Sequence, residues 1–205
     1  MKVLILNGSP RANGNTHLAI SEIVKIFDSE NVESEIIPVG KMGVSGCKAC
    51  HYCYKNNKCV IDDEVNTTNE KLKECDGLII ASPVYYASAN GSLVSFCDRL
   101  FYSNNEDLTM KVGAALAVAR RGGITTTFDQ LNKYFTISGM PIASGQYWNG
   151  LHGAKTGEGI QDHEGMQQMR TLARNMVSLM KSIKLGKDKF GLPHKETFAC
   201  TNFVR

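Results

Sequence analysis

Val3-Leu4-Ile5-Leu6-Asn7-Gly8-Ser9-Pro10-Arg11-Ala12-Asn13-Gly14-Asn15-Thr16 is the stretch whose reading decides the fold. Residues 3–6 are an unbroken aliphatic run, the pattern of a parallel strand covered on both faces. A polar loop bounded by Gly8 and Gly14 follows. After it, Ile20, Ile23, Val24 and Phe27 recur at i, i+3, i+4 and i+7, which is one apolar face of a helix. Such a loop delivers the free N–H groups and partial positive charge of a helix N-terminus, an arrangement suited to phosphate. The two glycines allow close backbone approach. Ser9, Asn15 and Thr16 offer short donors, and Arg11 a charged, forked one. The lysine of Gly-x-x-x-x-Gly-Lys-Ser/Thr is missing, and so is Gly-x-Gly-x-x-Gly, which argues against a nucleotide triphosphatase and a dinucleotide fold. A monophosphate remains. The competing reading is an ordinary strand-to-helix loop capped by Asn15 or Thr16.

Working outward, residues 32–39 read as a second strand and 77–82 as the clearest buried one, running into a loop at Pro83. A helix over 90–102, a strand over 111–119, a helix to about Ser138 and a fifth strand over 140–143 follow. A glycine-rich stretch, 145–159, leads to a last helix with Asp162 as N-cap. Met169, Leu172, Ala173, Met176, Met180 and Ile183 form its apolar stripe. Strands alternating with helices predict an α/β three-layer sandwich: a five-stranded parallel sheet of order 2-1-3-4-5 with helices on both faces. The ligand site then lies at the carboxyl ends of strands one and three. One domain spans 1–205, with a cysteine-containing loop at about 43–62 and a C-terminal extension at about 186–205.

Bulk properties agree with a globular chain: 205 residues, 42% apolar, 21% charged and a net charge of +3. No basic cluster points to nucleic acid, and no apolar run is long enough to span a membrane. The start resembles a signal peptide only faintly, so a cytoplasmic, reducing location is expected, where seven cysteines do not form a disulfide framework.

Two further loops leave carboxyl ends of strands. Ser82-Pro83-Val84-Tyr85-Tyr86 sits where the sheet order reverses, and its tyrosines can pack against a flat ring. Alone, it reads equally as a proline turn with surface tyrosines. Arg120-Arg121-Gly122-Gly123 opens another helix and can supply positive charge, or be a solvated basic turn.

Together these segments resemble the NAD(P)H-dependent FMN reductase branch of the flavodoxin-like superfamily. Gly8-Ser9-Pro10-Arg11, Ser82-Pro83-Val84-Tyr85, Asp98-Arg99, Gly122-Gly123, Asp162-x-Glu164-Gly165 and Thr201-Asn202-Phe203-Val204-Arg205 carry the resemblance. It implies FMN, with Ser9, Arg11, Asn13, Asn15 and Thr16 on the phosphate. It places Pro83, Val84, Tyr85, Tyr86 and Asn90 beside the ring and ribityl chain, and Arg121, Gly122 and Gly123 at the flank. It also implies a homodimer or homotetramer.

Cys47, Cys50, Cys53 and Cys59 follow Cys-x2-Cys-x2-Cys-x5-Cys, a compact run of the kind that iron–sulfur sites use. The run resembles that of the iron–sulfur flavoproteins, which implies a [4Fe–4S] cluster beside FMN. Zinc and redox-active thiols also accept such residues. Cys75, Cys97 and Cys200 read as structural. His51, His152 and His163 read as surface histidines, and Tyr147 and Trp148 as lining the crevice or a subunit contact. The expected activity is electron transfer from NAD(P)H, or from a ferredoxin-like donor, through FMN to a small acceptor such as a quinone, nitro compound or oxygen. No side chain is expected to act as acid or base. The rival is a non-catalytic electron carrier or redox sensor that serves a protein partner.

Overall fold

The computed structural model describes residues 1–197, 199, 201 and 203. Cys200 and most of the terminal 201–205 motif lie outside them. The elements are β1 (Lys2–Asn7), α1 (Asn15–Ser29), β2 (Glu33–Ile37), α2 (Cys53–Asn56), α3 (Glu64–Lys73), β3 (Gly77–Tyr85), β4 (Ser88–Ala89), α4 (Gly91–Ser103), β5 (Val112–Ala119), α5 (Ile124–Ile137), β6 (Gly150–His152) and α6 (His163–Phe190). A short 3-10 turn, Val39–Lys41, follows β2, and another, Glu158–Gln161, precedes α6.

The parallel strands run β2-β1-β3-β5-β6, which is the expected doubly wound order. Alternation along each strand divides the core. Val3, Ile5, Ile79, Ala81, Ala114 and Leu116 face α1 and α6. Leu4, Leu6, Leu78, Ile80 and Ala115 face α3, α4 and α5. Among the described residues, no helix is long and apolar enough to cross a membrane.

Four details depart from the sequence reading. The sheet has six strands: β3 does not stop at Pro83 but runs to Tyr85 and turns back antiparallel as β4. The turn is tight, with Tyr86 and Ala87 both left-handed at φ 50° and 58°, as two-residue hairpins require.

Residues 140–143 are not the fifth strand. They touch β5 through one parallel bridge, Gly113 to Ile142, and the edge position passes to β6, which pairs with Ala117, Val118 and Ala119. Pro141 lacks the N–H that a longer ladder needs. In the gap, the buried Asn149 side chain donates to the Ala115 carbonyl (3.1 Å), while its own carbonyl accepts from Ala117 N (3.1 Å).

Inside the cysteine loop, Cys53–Asn56 forms a one-turn helix. Finally, α6 continues through Phe190, so the expected extension from about 186 begins inside a helix.

Side chains cap three helices, and of these the sequence pointed to the Asp162 cap. Asp63 caps α3 through Val65 N, Asn90 caps α4 through Leu93 N, and Asp162 caps α6 through Gly165 N.

Candidate functional site

The β1–α1 loop is shaped from within. The Asn7 side chain accepts from Ser9 N (2.9 Å), and Ser9 Oγ accepts from Arg11 N (3.2 Å). Gly8 N donates to the Ala81 carbonyl (2.8 Å), which fixes the loop to the middle of β3. Gly40 supports it from below: a Cβ there would stand 2.3 Å from the Gly8 carbonyl oxygen. Gly40 escaped the sequence reading because the contact joins two loops distant in sequence. At the far end, Gly14 is the N-cap of α1 and no side chain caps the helix. The first-turn N–H groups are thereby left to a ligand.

Above this loop lies a cleft of about 140 Å3. Ser9, Arg11, Asn15 and Thr16 border it from the first loop, Pro83, Val84 and Tyr85 from β3, and Arg120 from the end of β5. Three segments that are far apart in sequence therefore meet at the carboxyl ends of β1, β3 and β5.

Not every expected residue reaches the cleft. Asn13 is exposed outside it, and Tyr86, fully exposed, points to solvent from the hairpin turn. Asn90 is occupied as the α4 cap, and its N–H donates to Ser82 Oγ (2.9 Å).

Asn15 borders the cleft, but its amide is already engaged. It donates to the Lys155 carbonyl (2.9 Å) and accepts from Gly159 N (3.2 Å). It ties the segment after β6 against the phosphate loop, so that Gly153 and Ala154 form a fourth wall. Glu158 braces the same segment: the N–H groups of Lys155 and Ala154 hold its carboxyl below the usual range.

Arg121, Gly122 and Gly123 face a different opening, a cleft of about 300 Å3 shared with Tyr147, Trp148, His152 and Gln168. Arg120 and Arg121 part because successive side chains leaving a strand point to opposite sides. Gly123 lies at φ 95°, and a Cβ there would stand 2.9 Å from the Ala87 Cα. Its lack of a side chain lets the β5–α5 turn seat against the β3–β4 hairpin, where Thr126 Oγ1 donates to the Ala87 carbonyl (2.7 Å). Tyr147 and Trp148 do not reach the first cleft. They stand exposed on a loop clamped by buried Gln168, which accepts from Gln146 N and Tyr147 N and donates to Asn149 Oδ1.

The four clustered cysteines line one small cavity with His51, Ile61, Arg99 and Tyr102. Left-handed residues at Ala49, His51 and Asn57 bend the backbone around it. Cys47 and Cys50 are exposed, Cys59 is half-buried and Cys53 is buried. Burial pushes the Cys53 thiol up, and negative charge on Cys47, Cys50 and Cys59 acts in the same direction. Among the described residues, no three His, Cys, Asp or Glu side chains converge tightly enough to hold a single metal ion. Cys75 and Cys97, by contrast, are core residues. Burial raises both thiols, that of Cys75 to about 11.

Comparison with known proteins agrees with this geometry. The family model described as NADPH-dependent FMN reductase matches residues 1–154. An iron-sulfur flavoprotein of Methanocaldococcus jannaschii is 33% identical over 192 residues, covering 90% of this chain and 100% of the relative. One of Methanosarcina thermophila is 31% identical, covering 92% and 100%. Among solved structures, RosB superposes with a TM-score of 0.69 at 19% identity, covering 100% of this chain and 92% of the other. An NAD(P)H:quinone oxidoreductase from Methanothermobacter marburgensis gives 0.66 at 14%, covering 86% and 96%. The parallel order, the phosphate-type loop at β1 and a family match over most of the chain converge: this protein belongs to the NADPH-dependent FMN reductase family, on a flavodoxin-like fold.

Proposed function

We propose that the chain is an FMN-dependent oxidoreductase that takes electrons from NAD(P)H and passes them to a small acceptor such as a quinone, a nitro compound or oxygen. One observation carries the reading: the β1–α1 loop, the end of β3 and the end of β5 meet in a single cleft against the uncapped N-terminus of α1. Ser9, Arg11, Thr16 and the free N–H groups of α1 are suited to the phosphate. Pro83, Val84 and Tyr85 offer a flat, partly apolar wall for a ring. Arg120 brings positive charge to the opposite rim. Asn15 holds the wall at Gly153 and Ala154 rather than the phosphate. FMN, when bound, supplies the hydride and electron chemistry; the chain orients it and sets its potential.

Cys47, Cys50, Cys53 and Cys59 are proposed to hold a [4Fe–4S] cluster. The four thiols line one cavity, and four thiolates are the donor set that such a cluster takes. In a cubane each thiolate binds its own iron, so the four sulfurs surround the group instead of converging on one point. The names of the two relatives support the same reading. A zinc or free-thiol site is the alternative that metal analysis decides.

Anaerobic purification followed by flavin, iron and sulfide analysis tests both parts. FMN near one per chain and four irons are expected. A preparation without flavin that takes up none on titration would sink the proposal. Turnover with NADPH or NADH then separates the enzyme from a carrier served by a ferredoxin-like donor, which neither nucleotide would reduce.

A further inference from the structure

Arg99 lies on α4, and its side chain is fully buried. A guanidinium carries five N–H donors, and here each has an acceptor. Nε donates to Cys59 Sγ at 3.2 Å. One terminal nitrogen donates to Asp63 Oδ2 at 2.8 Å and the Ser45 carbonyl at 3.4 Å. The other donates to Asp63 Oδ1 at 2.8 Å and the Ile61 carbonyl at 3.1 Å. Every acceptor belongs to the segment from Ser45 to Asp63, which carries the four clustered cysteines. An ion pair with Asp63 would need only two of the five donors. The other three gather the two ends of the cysteine loop, one of them on a cysteine sulfur. Asn66 assists from α3: its side chain accepts from Cys59 N (2.9 Å) and donates to the Cys59 carbonyl (3.1 Å).

We propose that Arg99 is the positioning residue of the four-cysteine site. Its fork closes the loop, and its Nε–H holds Cys59 Sγ where the fourth thiolate of an iron–sulfur cluster is needed. The inference rests on the reading that this site holds a cluster. An N–H donor on a ligand sulfur also favours the more reduced, more negative state of a cluster, so Arg99 raises its potential. Lysine keeps the charge but cannot form the fork, so R99K separates geometry from charge.

The test compares wild type with R99K and R99Q, purified anaerobically. FMN content reports the fold. Iron and sulfide content and the cluster's midpoint potential report the site. The expected result is FMN at the wild-type level in R99K, with iron and sulfide reduced at least twofold or the potential shifted to more negative values. R99Q is expected to show the larger effect. R99K with wild-type FMN, iron, sulfide and potential would overturn the inference.

A measurement on the wild type guards against variants that fail to fold. With 15N-arginine incorporated, pulsed electron paramagnetic resonance of the reduced protein should show a nitrogen coupled to the cluster. Its absence would overturn the inference equally. Wild type that carries FMN but no iron overturns the cluster reading and this inference with it; iron present without the arginine effects overturns this inference alone.

Discussion

Single residues decide what the cleft can hold. Arg11 and Arg120 border it, while Arg121 faces the neighbouring opening. Arg11→Ala should weaken FMN binding about tenfold, the scale of one partly solvated charge-assisted hydrogen bond. The difference should shrink with added salt. Arg121→Ala should leave the affinity within about twofold. Fluorescence titration of apoprotein with FMN measures both, and a reversed order would show that the arginines are wrongly assigned. Gly40 acts at the same scale without touching ligand. Gly40→Ala forces a Cβ into the Gly8 carbonyl, so either the loop or the 3-10 turn must shift. A loss of about 1–3 kcal/mol in urea unfolding is expected, together with weaker FMN binding. An unchanged midpoint and affinity would mean that the two loops are not in contact.

At the scale of elements, α1 and α6 cover one face of the sheet. An ion pair joins them: Arg170 donates to Glu22 at 2.7 Å. Glu22 is mostly buried, and the hydrogen bond from Arg170 holds its carboxyl below the usual range against the opposing effect of burial. Because the folded pKa is lowered, the pair contributes stability above the unfolded value, and the contribution is lost as pH falls through the folded one. Arg170 is partly solvated, so the contribution is modest. Glu22→Gln should cost about 0.5–1 kcal/mol at pH 7, and the difference from wild type should fade as pH drops below about 4. Urea unfolding across that range gives the curve; a gap that persists in acid would refute the electrostatic origin.

Elements also explain which predictions of structure failed. The 3.6-residue periodicity of α1 and α6 and the aliphatic runs of β1, β3 and β5 were legible, since burial on a face writes itself into spacing. The fifth strand was not. Residues 140–143 carry the apolar run, whereas Gly150-Leu151-His152 has a single aliphatic residue, and the edge position turns on Pro141 and on Asn149 filling a gap in the ladder. The β3–β4 hairpin was hidden because Tyr86 and Ala87 occupy a left-handed turn without glycine.

At the scale of the whole molecule, ligand and fold are linked. A site built from β1, β3, β5 and the segment after β6 exists only in the folded chain, so FMN should stabilise it. At a hundredfold excess over its dissociation constant the gain is about 2.7 kcal/mol, or roughly 5–10 °C in Tm for a domain of this size. Scanning calorimetry checks this. Riboflavin, which lacks the phosphate, should give a clearly smaller shift; an equal shift would remove the β1–α1 loop from the binding account.

The sequence by itself determined the layered α/β alternation, the phosphate-type loop, the run of four cysteines and the cap at Asp162, because each depends on neighbours within one turn, one strand or one loop. Only the tertiary structure decided that Asn15 ties a distant segment, that Arg120 and not Arg121 meets the cleft, that Gly40 underlies Gly8, and that Arg99 gathers the cysteine loop. Those roles join residues tens of positions apart, and which side chains meet across that distance is set by how the sheet and helices pack, which no local spacing records.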